Sequence, residues 1–168
     1  MSGLASFRSI GVTQRFAAMA LACAIALGLA LAAQYGFEMR PCPWCILQRL
    51  IFIVIGGVCL LGAFVGARSA RFAFAGVTVI LALLGISAAL WQHNVAAKSS
   101  SCNLTLADKV LNALGVEALA PSLFQVTANC ADSAVRVFGV AFEHWSLALY
   151  LLLAIAAAST FLKLRAPA

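Results

Sequence analysis

LIFIVIGGVCLLGAFVGA, residues 50–67, runs for 18 positions without a charge. That length approaches the ~20 apolar residues a helix needs to cross ~30 Å of hydrocarbon. Strands with open edges would leave amides unpaired in lipid, so a helix is the expected conformation. Three more charge-free runs occur at 16–33, 72–91 and 145–162. Over all 168 residues the chain is 64% hydrophobic and only 10% charged, with a mean hydropathy of +1.05. Soluble domains carry about 25% charged residues. Alanine and glycine recur within the runs, and small side chains let membrane helices approach closely. The expected fold is an all-α membrane protein, a single domain over 1–168 built as a four-transmembrane-helix bundle. Its helices are expected near 16–33, 46–67, 72–91 and 145–162, with loops 34–45 and 92–144 on one side of the membrane. Ala30-Leu31-Ala32 resembles a signal-peptidase site. The apolar run before it exceeds the usual ~7–15-residue hydrophobic region of a signal peptide, so a retained first helix is expected.

The net charge of +6 is unevenly distributed. Arg8, Arg15, Arg68, Arg71, Lys163 and Arg165 fall on one side of the predicted bundle, with no acid among them. On the other side Arg40, Arg49, Lys98, Lys109 and Arg136 are balanced by Glu38, Asp108, Glu117, Asp132 and Glu143. The positive-inside rule makes the basic side cytoplasmic, with both termini there. No basic cluster remains for nucleic acid, and that partner class is dropped. The second far-side loop is too small for a substantial core of its own. Within it, Thr105 and Gly115 read as the start and stop of a short helix, with Asp108 in its first turn. Leu106, Val110, Leu111 and Leu114 share one face, which is expected to rest on the membrane surface or on the bundle.

Six cysteines are present. Cys23 and Cys59 fall inside predicted helices, where cysteine packs as a small hydrophobe. Cys42, Cys45, Cys102 and Cys130 all fall on the non-cytoplasmic side, an oxidising compartment in bacteria. Three readings remain open for these four. They are structural staples, a four-thiolate zinc site, or a redox relay between two pairs. A Cys102–Cys130 bridge would close a loop worth roughly 3–4 kcal/mol. Zinc sites usually pair two closely spaced couples, which the separation of Cys102 from Cys130 does not provide. A Cys42–Cys45 bridge closes a tiny loop and adds little entropic stability, which favours a reactive pair. Cys45 begins the second helix, and Arg49 stands one turn deeper on the same face. The helix dipole and the fixed cation both favour a thiolate at Cys45. Arg49 also reads as an interfacial arginine reaching for the headgroups, and Trp44 as a residue of the aromatic belt. His93 ends the third run after Trp91 and Gln92, at an interface or beside a ligand.

Pro41-Cys42-x-x-Cys45 with Gln48-Arg49, Trp91-Gln92-His93, and Cys102…Phe124-Gln125-Val126…Cys130-Ala131-Asp132…Trp145 together resemble the disulfide bond formation protein B family of bacterial inner membranes. Pro43 and Trp44 depart from it, standing where an aliphatic pair is expected. The resemblance implies a protein-disulfide:quinone oxidoreductase that reoxidises a DsbA-like periplasmic thiol oxidase and passes electrons to ubiquinone or menaquinone. It implies that Cys102 meets the reduced partner, Cys130 then attacks Cys42, and Cys45 faces the quinone with Arg49 and His93 beside it. Two other readings stay in play. One is a scaffold or small channel with structural disulfides. The other is a quinone reductase of the vitamin K epoxide reductase type, whose CxxC is expected at a later helix.

Overall fold

The computed structural model describes residues 11–96, 105–128, 136–137 and 139–165. Cys102 and Cys130 lie outside the described residues, as do Arg8, Lys98, Asp132 and the serine-rich stretch 99–101. Four long helices dominate: α1 (Val12–Gly36), α2 (Pro43–Phe64), α3 (Arg68–Asn94) and α7 (Phe142–Arg165), each long and apolar enough to cross a membrane. Between α3 and α7 come α4 (Leu106–Leu114), α5 (Val116–Leu119) and α6 (Pro121–Phe124). A two-residue hairpin, β1 (Arg136–Val137) with antiparallel β2 (Val140–Ala141), leads into α7 and turns through Gly139 at φ 79°. No periodicity in the sequence announces that hairpin.

The long helices outrun the apolar stretches that predict them. α1, α3 and α7 each begin and end three or four residues outside 16–33, 72–91 and 145–162. Backbone hydrogen bonding continues past the point where side chains turn polar. α2 differs from the predicted 46–67, because it begins at Pro43 and ends at Phe64. Proline has a φ suited to the first helical position and lacks only an amide that would be unpaired there.

The helices close into a ring: α1 against α2, α2 against α3, α3 against α7, and α7 back against α1. Leu21, Ile25, Leu29, Leu60, Ile80, Leu152 and Ile155 stay exposed around its outside, which suits contact with lipid. Inside, Phe52 of α2 stacks on Tyr150 of α7 with ring centroids 4.2 Å apart. The Tyr150 hydroxyl donates to the Gln48 carbonyl oxygen at 2.9 Å. Cys23 and Cys59 are buried in this core, as packing cysteines are expected to be. Gly85 lets the tyrosine approach α3, since a Cβ there would come within 2.3 Å of the Tyr150 ring. Overpacking of this kind costs about 1–3 kcal/mol, more than the ~1 kcal/mol alanine gains over glycine in a helix. Gly85→Ala should therefore lower the Tm of the detergent-solubilised protein. An unchanged Tm would mean that Tyr150 swings aside at no cost.

At the basic end, arginines satisfy backbone oxygens where helices stop. Arg68 donates to Leu164 O at 3.1 and 3.0 Å, and Arg71 to Val65 O at 2.6 Å. Positive charge at a helix C-terminus also opposes the negative end of the dipole. At the opposite end, α4 starts at Thr105, whose side chain accepts from Asp108 N at 3.3 Å while Asp108 Oδ2 accepts from Thr105 N at 2.8 Å. It stops at Gly115, with φ 61°. The buried face is narrower than the sequence pattern implies. Ala107 and Leu111 face the bundle, whereas Leu106 and Leu114 are exposed. Ala107 packs with Cys42 and Trp44, and Leu111 with Ile46 and Phe124. The two inner positions thus serve the bundle, and the outer leucines are left exposed.

Candidate functional site

The site is built on the first turn of α2. Cys42 is the N-cap, in extended conformation (φ −89°, ψ 168°), and its sulfur accepts from Cys45 N at 3.3 Å. The two sulfurs lie 2.9 Å apart. That separation is close enough for a disulfide to form and break with little backbone movement. Cys42 is fully buried and Cys45 half-buried. The positive end of the helix therefore acts on both sulfurs, and the amide hydrogen bond goes to Cys42. Sequence reasoning credited the helix start to Cys45 alone because it began the helix three residues late.

Cys45 has its own donor. Gln92 Nε2 of α3 reaches its sulfur at 3.3 Å, and Gln92 Oε1 in turn accepts from Gln48 Nε2 at 2.7 Å. Both glutamines are buried. Sequence reasoning quoted them within motifs and gave them no role. Two amides at the ends of apolar runs were the available signal, since polar side chains at membrane depth are costly and usually functional.

Arg49 lies one turn below Cys45 and is only 7% exposed. Its guanidinium donates to Gln34 Oε1, to Leu123 O at 3.1 Å and to Ala30 O at 3.3 Å. These contacts tie α1, α2 and α6 together and exclude the headgroup-reaching alternative. None of the three acceptors carries a charge. Among the described residues no carboxylate pairs with Arg49, and its charge is felt at Cys45 and Cys42. A buried cation is costly unless paired. The ionisable groups within its electrostatic range are Cys45, then Tyr35 and Cys42, and of these the thiols are the more readily ionised.

Trp44 is buried against Cys42, Ala88, Ala96 and Ala107 rather than standing in a lipid-facing belt. Its ring lies 6.4 Å from that of Trp91, and its Nε1 is buried with no hydrogen-bond partner among the described residues. His93 follows Gln92 but turns elsewhere. Its Nδ1 is 2.9 Å from Glu143 Oε1 on α7, so the structure does not bring its Nδ1 to the sulfurs. Cys102 and Cys130 lie outside the described residues, yet the chain before Cys130 is anchored here. Thr127 N and Ala128 N both donate to Pro41 O, at 3.1 and 3.3 Å. A groove of about 520 Å³ between α4, α5 and α6 is lined by Leu111, Glu117, Pro121 and Gln125 among others and includes none of these site residues.

Residues 13–160 match the family described as disulfide bond formation protein DsbB. Curated relatives agree. Disulfide bond formation protein B of Herminiimonas arsenicoxydans is 30% identical over 139 residues, 82% of this chain and 87% of that protein. The protein of the same name from Burkholderia pseudomallei strain 1106a is 32% identical over 154 residues, 88% of both chains. That from Pseudomonas syringae pv. tomato is 31% identical over 139 residues, 82% of both.

Proposed function

The chain belongs to the disulfide bond formation protein DsbB family, and from that membership we propose that it is the quinone-linked oxidase of a periplasmic thiol pathway. A disulfide oxidoreductase role in disulfide bond formation is what the family name carries. In this reading the chain sits in the bacterial inner membrane with its basic end and both termini cytoplasmic. Its partner is a DsbA-like thioredoxin-fold oxidase that arrives with two reduced cysteines.

The partner's thiolate attacks Cys102 of a Cys102–Cys130 disulfide, forming a mixed disulfide and releasing the Cys130 thiolate. The partner's second cysteine resolves that bond and leaves oxidised. Cys130 attacks Cys42 of a Cys42–Cys45 disulfide and releases the Cys45 thiolate; Cys102 then attacks Cys130, re-forming the Cys102–Cys130 disulfide and releasing the Cys42 thiolate. Each exchange moves one electron pair and breaks one S–S bond for each one formed. The anchoring of Thr127 and Ala128 to Pro41 O supports the middle step. Two further residues of chain keep Cys130 within about 7 Å of Ala128 by covalent reach alone.

Ubiquinone or menaquinone supplies the two-electron acceptor. The observation that carries the reading is Arg49, a buried cation with only neutral acceptors directly beneath a sulfur pair. It balances the Cys45 thiolate, which Gln92 also steadies, and would draw a quinone oxygen. Trp44 Nε1 is an unspent buried donor in the same cluster. His93, with Nδ1 engaged by Glu143, has Nε2 to offer the quinone.

The testing experiment follows quinone absorbance with purified chain, reduced DsbA-like protein and either quinone. Loss of quinone absorbance at the rate of partner oxidation is expected. No quinone reduction by an intact protein would overturn the reading. For the order of exchange, the lone Cys102 thiolate of Cys130→Ser should attack the disulfide of oxidised partner, breaking that bond and leaving a partner adduct on Cys102, seen on a non-reducing gel and lost with dithiothreitol. If no adduct forms in Cys130→Ser, Cys102 is not where the partner attacks.

A further inference from the structure

The chain has two histidines, and the fold brings both to one point. His93 ends α3, and His144 lies in the first turn of α7. Their rings meet edge to face with centroids 4.4 Å apart. Glu143 joins them, only 6% exposed, with Oε1 2.9 Å from His93 Nδ1. Ligand-capable atoms of all three side chains lie within 4.8 Å of one another. Gln92, the position before His93 and about 100° round the helix, is the residue that reaches Cys45.

The His93–Glu143 pair explains why a carboxylate is buried here. It does not explain His144, whose Nδ1 is buried with no hydrogen-bond partner among the described residues. An unsatisfied buried polar atom costs about 1–3 kcal/mol, and native structures keep few of them. An unpartnered nitrogen on an imidazole that stands beside a second imidazole and a carboxylate becomes intelligible when all three share a ligand. A proton cannot serve three such groups at this spacing, whereas a metal ion can.

We propose that His93, Glu143 and His144 form a binding site for a divalent cation of the zinc class, built without any of the cysteines. Two imidazoles and one carboxylate are a known zinc ligand set, with water in the fourth position. Tetrahedral ligand bonds of about 2.0–2.2 Å hold two donors roughly 3.3–3.6 Å apart. The present spacing therefore closes by rotation of side chains. The cation takes the place of the hydrogen between His93 Nδ1 and Glu143 Oε1 and gives the His144 imidazole a partner. The side chain of His93 is 43% exposed, which opens the site to solvent. Soft thiolates are not needed, and all three donors come from two rigid helix ends.

The test uses the full chain in detergent, carrying an affinity tag without histidines and stripped with chelator. Titration with zinc chloride should give one site by calorimetry and raise Tm with concentration, as binding to the native state alone requires. His144→Gln keeps the His93–Glu143 pair and should lower zinc affinity at least about tenfold, as should Glu143→Gln, because even outer-shell changes cost ~10–100-fold. Cobalt in place of zinc should give absorption without a sulfur-to-cobalt charge-transfer band. Absence of saturable zinc binding overturns the proposal. So does zinc affinity unchanged in His144→Gln, or a sulfur–cobalt band, which would put the metal on the cysteines.

Discussion

Cys45→Ser abolishes reduction of quinone by the reduced partner, with turnover falling by at least about 10³-fold, as for loss of a covalent nucleophile. Serine keeps the size of the side chain and can accept the Gln92 amide hydrogen bond. Cys42 still caps α2, so the first turn of the helix is preserved. What disappears is the thiolate, because a hydroxyl does not ionise at neutral pH and cannot form the bond to Cys42. The electron pair arriving at Cys42 then has no second sulfur to displace. The unpaired Cys42 thiolate can only exchange with the Cys102–Cys130 disulfide, linking Cys42 to the second loop and freeing one loop thiolate, a rearrangement that carries no electrons to quinone. Wild-type turnover in Cys45→Ser, with Tm unchanged, would remove Cys45 from the electron path and with it the quinone-facing role.

Much of this arrangement is legible in the chain because membrane burial imposes a coarse code. Residues 50–67 announce a span with no reference to the rest of the molecule, since lipid accepts few other conformations. Thr105, Asp108 and Gly115 announce α4 equally well, because caps act locally. Other features depend on contacts between distant elements. Which face of α4 is buried rests on Ile46 and Phe124 fitting Leu111, so Leu106 and Leu114 could not be sorted from it by spacing. Gln92 reads as an interfacial amide until α2 places the Cys45 sulfur 3.3 Å from it. His93 shows the same limit. Its partner Glu143 lies 50 positions away, and only the packing of α3 on α7 joins them.

Arg49→Met separates the two roles open to a buried arginine. If Arg49 merely fastens α1 and α6 to α2, the substitution lowers stability and leaves quinone kinetics alone. The geometry favours the opposite outcome. The three acceptors are neutral, and Ala30 O belongs to the interior of α1, where the helix itself supplies a donor. Burying a cation without a carboxylate is costly, and exchanging buried charge for methionine is often neutral or stabilising. The thermal midpoint should therefore change little. The loss should instead fall on whatever the charge serves. A hydrogen bond to a charged group contributes about 1.5–3 kcal/mol, and each 1.4 kcal/mol is tenfold. The apparent KM for quinone should thus rise about 10–150-fold. Arg49→Lys, which keeps the charge and loses the planar fork, should recover part of that loss. Partner trapping in a Cys130→Ser background should be untouched, since that step precedes Cys45. A Met variant with wild-type KM and a lowered Tm would return Arg49 to a purely structural role and leave the quinone without its cation.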